Sequence, residues 1–372
     1  TTLYHLIFVV KIKIIMKVCI LGDGLTSLAL AKALVNRGIS TDIFLNRNHK
    51  KKHTSRSLGI SKSNVEFFNK NIVNIDNLLW NINKIEIYSE SLNNSKIIEF
   101  EKNNQTLFST IKNHELIAYL KVQLKKSKYF KFKDNLYDYK SIKKNYSLII
   151  NCELNNKISN KFFSRKINKS YDSFAYTSII KHEKLLNNNT ATQTFTKEGP
   201  IAFLPISNRE TSIVYSLKGG KRLEIESLIR KFNIKYKINK INKVNSFELM
   251  SSNLRSYYHK NILAFGDLLH KIHPLAGQGF NMSIRDIKVL IKIIDSKIDL
   301  GLDLDSSVCF EFENKNKHKN YIFSNGIDFI HEFFNLENRM NSNILSKSIK
   351  FFANNKISNK FFIKFADEGI LN

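Results

Sequence analysis

Two short runs of residues are spaced for chemistry on an extended, partly anionic ligand. The first is Gly22-Asp23-Gly24-Leu25-Thr26-Ser27, which follows the apolar run Lys17 to Leu21 and opens a stretch with apolar residues at helical spacing. Gly22 permits a tight turn, and Gly24 lets the backbone come close to a pyrophosphate. The free N–H groups at the start of the helix carry partial positive charge toward that anion. Ser27 takes the place of the third glycine of such fingerprints and is small enough for close helix–strand packing. The acidic residue that usually holds a ribose about 20 residues on is absent, since Leu45-Asn46 stands there and leaves Asn46 as the substitute. Asp23 sets a carboxylate beside the phosphate position, which is unfavourable unless its side chain turns outward. Taken alone, the run also fits an ordinary βα turn.

The second run extends from Leu263 to Asn281. It reads as a strand ending at Gly266-Asp267, a loop with Pro274, and a helix start flanked by Gly277 and Gly279. Asp267 at the strand tip is placed to accept hydrogen bonds from a polyol. Gly277 and Gly279 leave the N–H groups around Gln278 unobstructed, so they can face an anionic ring edge at a helix N-terminus. His270 and His273 lie three apart, but no carboxylate or cysteine pattern completes a metal site, and no metal is expected. Lys50-Lys51-Lys52-His53 offers charge for a phosphate, yet a basic tetrad after a strand reads as a solvated loop.

The elements that must position these runs are legible from periodicity. Lys17 to Leu21, the glycine turn, Leu25 to Asn36 and Ile43 to Leu45 make a strand, a helix closed by Gly38 and a second buried strand, so a parallel sheet is expected. From Lys84 to Phe100 the pattern alternates around Asn93-Asn94, which predicts a hairpin. Asn113 to Leu124 carries Leu116, Leu120 and Leu124 at helical spacing, and Ser147 to Asn151 returns to a buried strand. A second β-rich block spans Ser173 to Ser216, and after Leu263 the helical period continues to the C-terminus.

The 372 residues carry a formal charge of +27, with 42% apolar and 12% aromatic residues. No apolar run is long enough to cross a bilayer as a helix, and the composition is that of a folded chain. Lys, Asn and Ile crowd the whole sequence, so the charge reads first as compositional bias, with attraction to an anionic partner second; no nucleic acid is expected. Cys19, Cys152 and Cys309 are odd in number and far apart, which suggests neither disulfides nor zinc and fits a reducing cytoplasm. Residues 1–15 precede Met16 and read as a non-native or disordered extension without the features of a signal peptide. Phe323, Ile327, Ile330 and Phe334 recur at helical spacing, as do Leu345, Ile349 and Phe352; this is helical core or a basic face resting on an anionic membrane.

The run from Gly266-Asp267 through His270, His273-Pro274, Ala276-Gly277-Gln278-Gly279 and Asn281 resembles the FAD-binding signature of the ubiquinone-biosynthesis hydroxylases, single-component FAD-dependent aromatic monooxygenases. Arg285 and Asp286 match the same run, and Ser283 replaces a usual glycine. Arg56-Ser57-Leu58-Gly59-Ile60-Ser61 resembles the segment whose arginine reaches the cofactor. Thr190 to Phe195 and Gly199 to Pro205 resemble strands of the substrate domain, with Asn113 to Leu116 a weaker match. The resemblance covers most of residues 16 to 290 in order.

It implies an α/β fold: a Rossmann-like FAD-binding domain of glutathione-reductase type, interleaved with a β-sheet substrate domain and followed by a helical C-terminus. The expected divisions are 16–75, 101–165 and 250–300 for FAD, 76–100 and 166–249 for substrate, and 301–372 for the C-terminal helices. It further implies FAD held by Gly22, Gly24, Ser27, Arg56, Gly266, Asp267, Pro274, Gly277, Gln278, Gly279 and Asn281. NAD(P)H would be the electron donor and a prenylated aromatic the substrate. The place implied is the cytoplasm or the inner face of the membrane, in peripheral contact with anionic lipid or other ubiquinone-biosynthesis proteins. No catalytic base is identified. One departure is Asn151-Cys152-Glu153-Leu154, where the family carries Asp-Gly, a motif that bears on both FAD and the nicotinamide donor: Glu153 can replace the acid, but Leu154 cannot supply glycine's backbone freedom. The alternatives are another FAD-dependent oxidoreductase of this fold, acting on a soluble aromatic or reducing a lipid, and a catalytically degenerate binding protein.

Overall fold

The computed structural model describes residues 16–45, 56–101, 105–134, 139–219, 224–272 and 278–340. Among them the strands form three sheets. The first, in the order β16-β17-β9-β1-β2-β8, is built on β1 (Lys17–Leu21), β2 (Ser40–Phe44), β8 (Phe130–Lys133), β9 (Leu148–Asn151), β16 (Tyr258–His259) and β17 (Ile262–Ala264). Its neighbours are parallel except β16 with β17. The chain adds strands on one side of β1 through β2 and β8 and on the other through β9 and β17. The order therefore reverses at β1/β9, where the carboxyl ends of an α/β sheet leave a crevice for ligands.

Helix α1 (Leu25–Val35) packs on this sheet with Leu28, Ala29, Leu30, Ala31, Ala33 and Leu34 fully buried. Gly38 closes it at φ 73°, in the left-handed region that suits glycine. Helix α3 (Asn113–Lys125) buries Leu116, Leu120 and Leu124, as its spacing predicts.

The second sheet runs β18-β15-β10-β13-β12-β11-β5-β6, with β14 (Ile238–Ile241) paired to β10. Its strands are β5 (Lys84–Ser89), β6 (Ser95–Glu101), β10 (Lys166–His182), β11 (Thr190–Thr196), β12 (Gly199–Pro205), β13 (Glu210–Lys218), β15 (Asn245–Leu254) and β18 (His270–Lys271). The predicted hairpin is β5–β6, and Asn93 and Asn94 take φ 53° and 56° between its strands, a conformation asparagine tolerates. Helix α6 (Ile225–Phe232) covers one face of this sheet through Ile229 and Phe232 against Ile180, Ile201, Phe203, Ile213 and Tyr215.

A small third sheet, β3 (Ser57–Ser61), β7 (Phe108–Lys112) and β4 (Trp80–Ile82), lies beside α2 (Lys62–Asn71). Short helices α4 (Tyr139–Asn145) and α5 (Lys157–Phe162) flank β9. The chain then forms α7 (Gln278–Asp299) and α8 (Ser306–Met340). Phe323 and Ile327 of α8 are buried with Ile272 and Met282, so at these positions the apolar stripe is core and does not face a membrane. No described helix is long and apolar enough to cross a membrane.

Candidate active site

The parallel strands β1, β9 and β17 end level with one another: Leu21 pairs with Asn151, and Asn151 with Ala264. Three turns leave these tips side by side. Cys152 N–H donates to the Leu21 carbonyl at 3.0 Å and Phe265 N–H to the Asn151 carbonyl at 2.9 Å, so Gly22-Asp23-Gly24, Cys152-Glu153 and Gly266-Asp267 meet at one edge.

At the first turn Gly22 takes φ 99°, a conformation side chains avoid, and a Cβ there would lie 2.9 Å from Glu153 Cγ. Gly24 caps α1, and a Cβ on it would meet nothing within 4 Å, so the space before the helix N-terminus is open. Ser27 is buried on α1 beside the Cys152 thiol. Asp23 is neutralised by Lys121 of α3, whose Nζ lies 2.8 Å from its carboxylate. That partner removes the electrostatic objection to an anion at this turn, and it was not legible from sequence because 98 residues separate the two.

Gly266 takes φ 61°, and a Cβ on it would sit 3.2 Å from Thr26 Cγ2. The two glycine-bearing runs, far apart in sequence, therefore touch. Asp267 is exposed while Gly266, Leu268 and Leu269 are buried, and its charge acts on the Cys152 thiol beside Ser27. Burial pushes the Cys152 thiol up to about 12, with the Asp267 and Glu153 carboxylates adding to the effect and the Ser27 hydroxyl opposing it. This cysteine stays a thiol at neutral pH.

Asn281, near the start of α7, is buried and joins three groups of the neighbouring layer. It accepts from Ser61 N–H and Asn64 Nδ2, both at 2.9 Å, and donates to the Gly59 carbonyl at 2.8 Å. This fixes the helix start against β3, the strand that Arg56 leads into, and the exposed Arg56 is tied by its carbonyl to Asn113 N–H at 3.0 Å. A Cβ on Gly279 would again meet nothing within 4 Å. Pro274 and Gly277 lie outside the described residues, as do the Gln278 side chain, His273, Asn46 and Lys50 to His53. Gly22, Gly24, Ser27, Gly266 and Asp267 are brought together, and Asn281 links Gly279 to the Arg56 strand.

The turn that replaces Asp-Gly is built by side chains. Asn151 Oδ1 accepts from Glu153 N–H at 3.2 Å and Asn156 Nδ2 at 2.9 Å, and Asn156 caps α5 through Ser159 N–H at 2.7 Å. Leu154 is not among the residues with positive φ, so this turn never asks for glycine's freedom. Glu153 is buried against Gly22.

The open cradles at Gly24 and Gly279, the exposed acid at the strand tip and the reversal of strand order fit a long dinucleotide with a polyol linker. The fold is shared with monooxygenases of known structure. The fold matches that of p-nitrophenol 4-monooxygenase PnpA from Pseudomonas putida, with TM-score 0.75 at 10% identity, covering 95% of this chain and 98% of that one. Klebsiella pneumoniae HpxO, solved with FAD and uric acid, superposes with TM-score 0.71 at 12% identity over 96% and 98%.

Residues 224–299 match the family described as FAD binding domain. The chain is similar to the mitochondrial ubiquinone biosynthesis monooxygenase COQ6 of Schizosaccharomyces pombe, 23% identical over 250 residues, 54% of this chain and 52% of that protein. It is also similar to the 3-demethoxyubiquinol 3-hydroxylase of Escherichia coli, 27% identical over 153 residues, 38% and 39% of the two chains. The chain thus spans about half the length, or less, of the curated relatives it matches. The resemblance read from the motifs is borne out by these relatives.

Proposed function

We propose that the chain is an FAD-dependent monooxygenase that hydroxylates the aromatic ring of a polyprenylated phenol or quinol precursor in ubiquinone biosynthesis. The observation that carries this reading is the contact of Gly266 with Thr26, which joins the two ligand-binding runs at the strand tips around open space. Similarity to the two ubiquinone-biosynthesis enzymes supports the substrate class.

When bound, FAD supplies the redox chemistry that moves one oxygen atom of O₂ onto the ring at the expense of NAD(P)H. The protein's part is binding and exclusion of water. Gly24 and the α1 amides would receive the pyrophosphate of FAD, Asp267 would accept from its sugar alcohol, and Gly277, Gln278 and Gly279 would, by their residue types, offer amides to its ring. The resemblance assigns Pro274 and Arg56 to the same cofactor. The substrate ring would lie against the face of the large sheet that α6 leaves uncovered. There Gln193, Ala202, Val214 and Thr177 stand in one row across four strands, with the apolar Ala202 and Val214 at its centre and a polar residue at each end. The formal charge of +27 supports contact with an anionic membrane surface, where such a substrate resides.

A strain lacking the chain tests the reading. Accumulation of a prenylated intermediate one hydroxyl short, cleared by the wild-type chain and not by Asp267→Ala, is expected; an unchanged quinone profile contradicts it.

A further inference from the structure

We infer that a buried side-chain relay, His270 to Asp286 braced by Asn316 and Asn320, sets the position of Asp267 relative to the amide end of α7; the inference rests on the FAD reading above. Asp286 lies two turns into α7, and the side chains of Asp286 and His270 are each 1% exposed. Its Oδ2 accepts a hydrogen bond from His270 Nε2. Its Oδ1 accepts from Asn316 Nδ2 at 2.7 Å and Asn320 Nδ2 at 2.9 Å, both on α8. The carboxylate therefore has three donors from two other elements.

The geometry links the two halves of the proposed cofactor site. His270 stands three residues after Asp267 on β18, where it pairs with Asn253 of β15. Asp286 stands on the helix whose first turn carries Gly279 and Asn281. One carboxylate thus ties the strand that follows the polyol acceptor to the helix that offers amides to the ring. Helix α8 holds that carboxylate from behind, and it also covers Ile272 through Phe323 and Ile327 and carries Phe323 under the Arg285 guanidinium at 4.3 Å. Asn320 bonds to Tyr257 as well, and Tyr257 N–H donates to Glu313 of α8 at 2.8 Å, so the brace reaches the strands leading into Gly266.

Cohesion alone does not call for this arrangement. Apolar side chains of similar volume hold buried elements together as well as a buried polar pair does. What a carboxylate with three directed donors adds is a single relative orientation of β18, α7 and α8. His270 and Asp286 are on this account positioning residues that need not touch the cofactor.

The test is an FAD titration, followed by fluorescence and visible circular dichroism, of the wild-type chain, Asp286→Asn and His270→Gln, with the apo melting midpoint of each. Asp286→Asn is expected to bind FAD about tenfold more weakly or worse, since small misplacements of a positioned group have large effects. The dichroism of the flavin it still binds should change. His270→Gln keeps an amide donor toward Asp286 and is expected to stay near wild type in both. If Asp286→Asn does not fold, His270→Ala is read in its place with the same expectation. Wild-type affinity and dichroism in a folded Asp286→Asn, whatever its melting midpoint, overturn the inference and leave the FAD reading standing. A wild-type chain with no saturable FAD binding overturns that reading, and the inference with it.

Discussion

Gly22 and Gly24 stand two residues apart and respond differently to an added methyl group. At Gly22 the positive φ and the 2.9 Å approach to Glu153 Cγ make Gly22→Ala a folding defect, on the order of 1–3 kcal/mol in urea unfolding of the apo chain. Gly24 has ordinary φ and open space around it, so Gly24→Ala should leave apo stability unchanged. It should nonetheless weaken FAD binding at least tenfold, because the methyl occupies the space proposed for the pyrophosphate. Equal FAD affinity in Gly24→Ala and wild type would show that the cradle is not used.

A second residue-scale expectation concerns His182 in the large sheet, whose ring contacts the Glu183 carbonyl at 2.7 Å and the Thr211 hydroxyl at 3.0 Å. Burial holds its pKa below 6.5, its ordinary value, so the fold favours the neutral ring. That contribution is fully present above 6.5 and is lost as pH falls from there through the lowered folded value. The unfolding midpoint of wild type should therefore drop more steeply below pH 6.5 than that of His182→Gln; parallel curves would contradict this.

Among the elements, the start of α7 depends on Asn281. Asn281→Ala removes the acceptor of Ser61 N–H and Asn64 and the donor to Gly59, all in a buried layer. The expected cost is on the order of 3 kcal/mol, read as a lower urea midpoint, with FAD affinity falling as Arg56 and Gly279 lose their common support; a neutral substitution would contradict the link.

Elements with strong local signals were legible in the sequence: α1 between its glycines, α3 from three leucines, the hairpin from Asn93-Asn94. What sequence could not show was pairing across distance. Phe130 to Lys133 alternates too briefly to declare itself, yet it completes the parallel sheet beyond β2. The stripe at Phe323 and Ile327 is amphipathic by spacing alone, and only the position of Ile272 and Met282 shows it to be core.

At the scale of the molecule, the order of motifs along the chain implied the α/β fold, because each glycine-bearing run belongs to a strand tip and strand tips of a parallel sheet share one edge. The site was legible as residue types, Gly22, Gly24, Gly266 and Asp267, and not as neighbours: Lys121 beside Asp23, Glu153 against Gly22 and Asp286 beneath His270 are products of folding. A cofactor spanning two such runs also binds only the folded chain. FAD at about a hundred times its Kd should add about 2.7 kcal/mol to the stability of the whole molecule, visible as a melting midpoint that climbs with FAD concentration.

The most direct measurement is equilibrium titration of the purified chain with FAD, wild type beside Asp267→Ala. One FAD per chain is expected for wild type, with affinity lower by about tenfold to a hundredfold in the variant, the worth of one hydrogen bond to a charged group. Saturable binding of equal strength in both proteins, or none in either, would contradict the placement of the cofactor across these two turns.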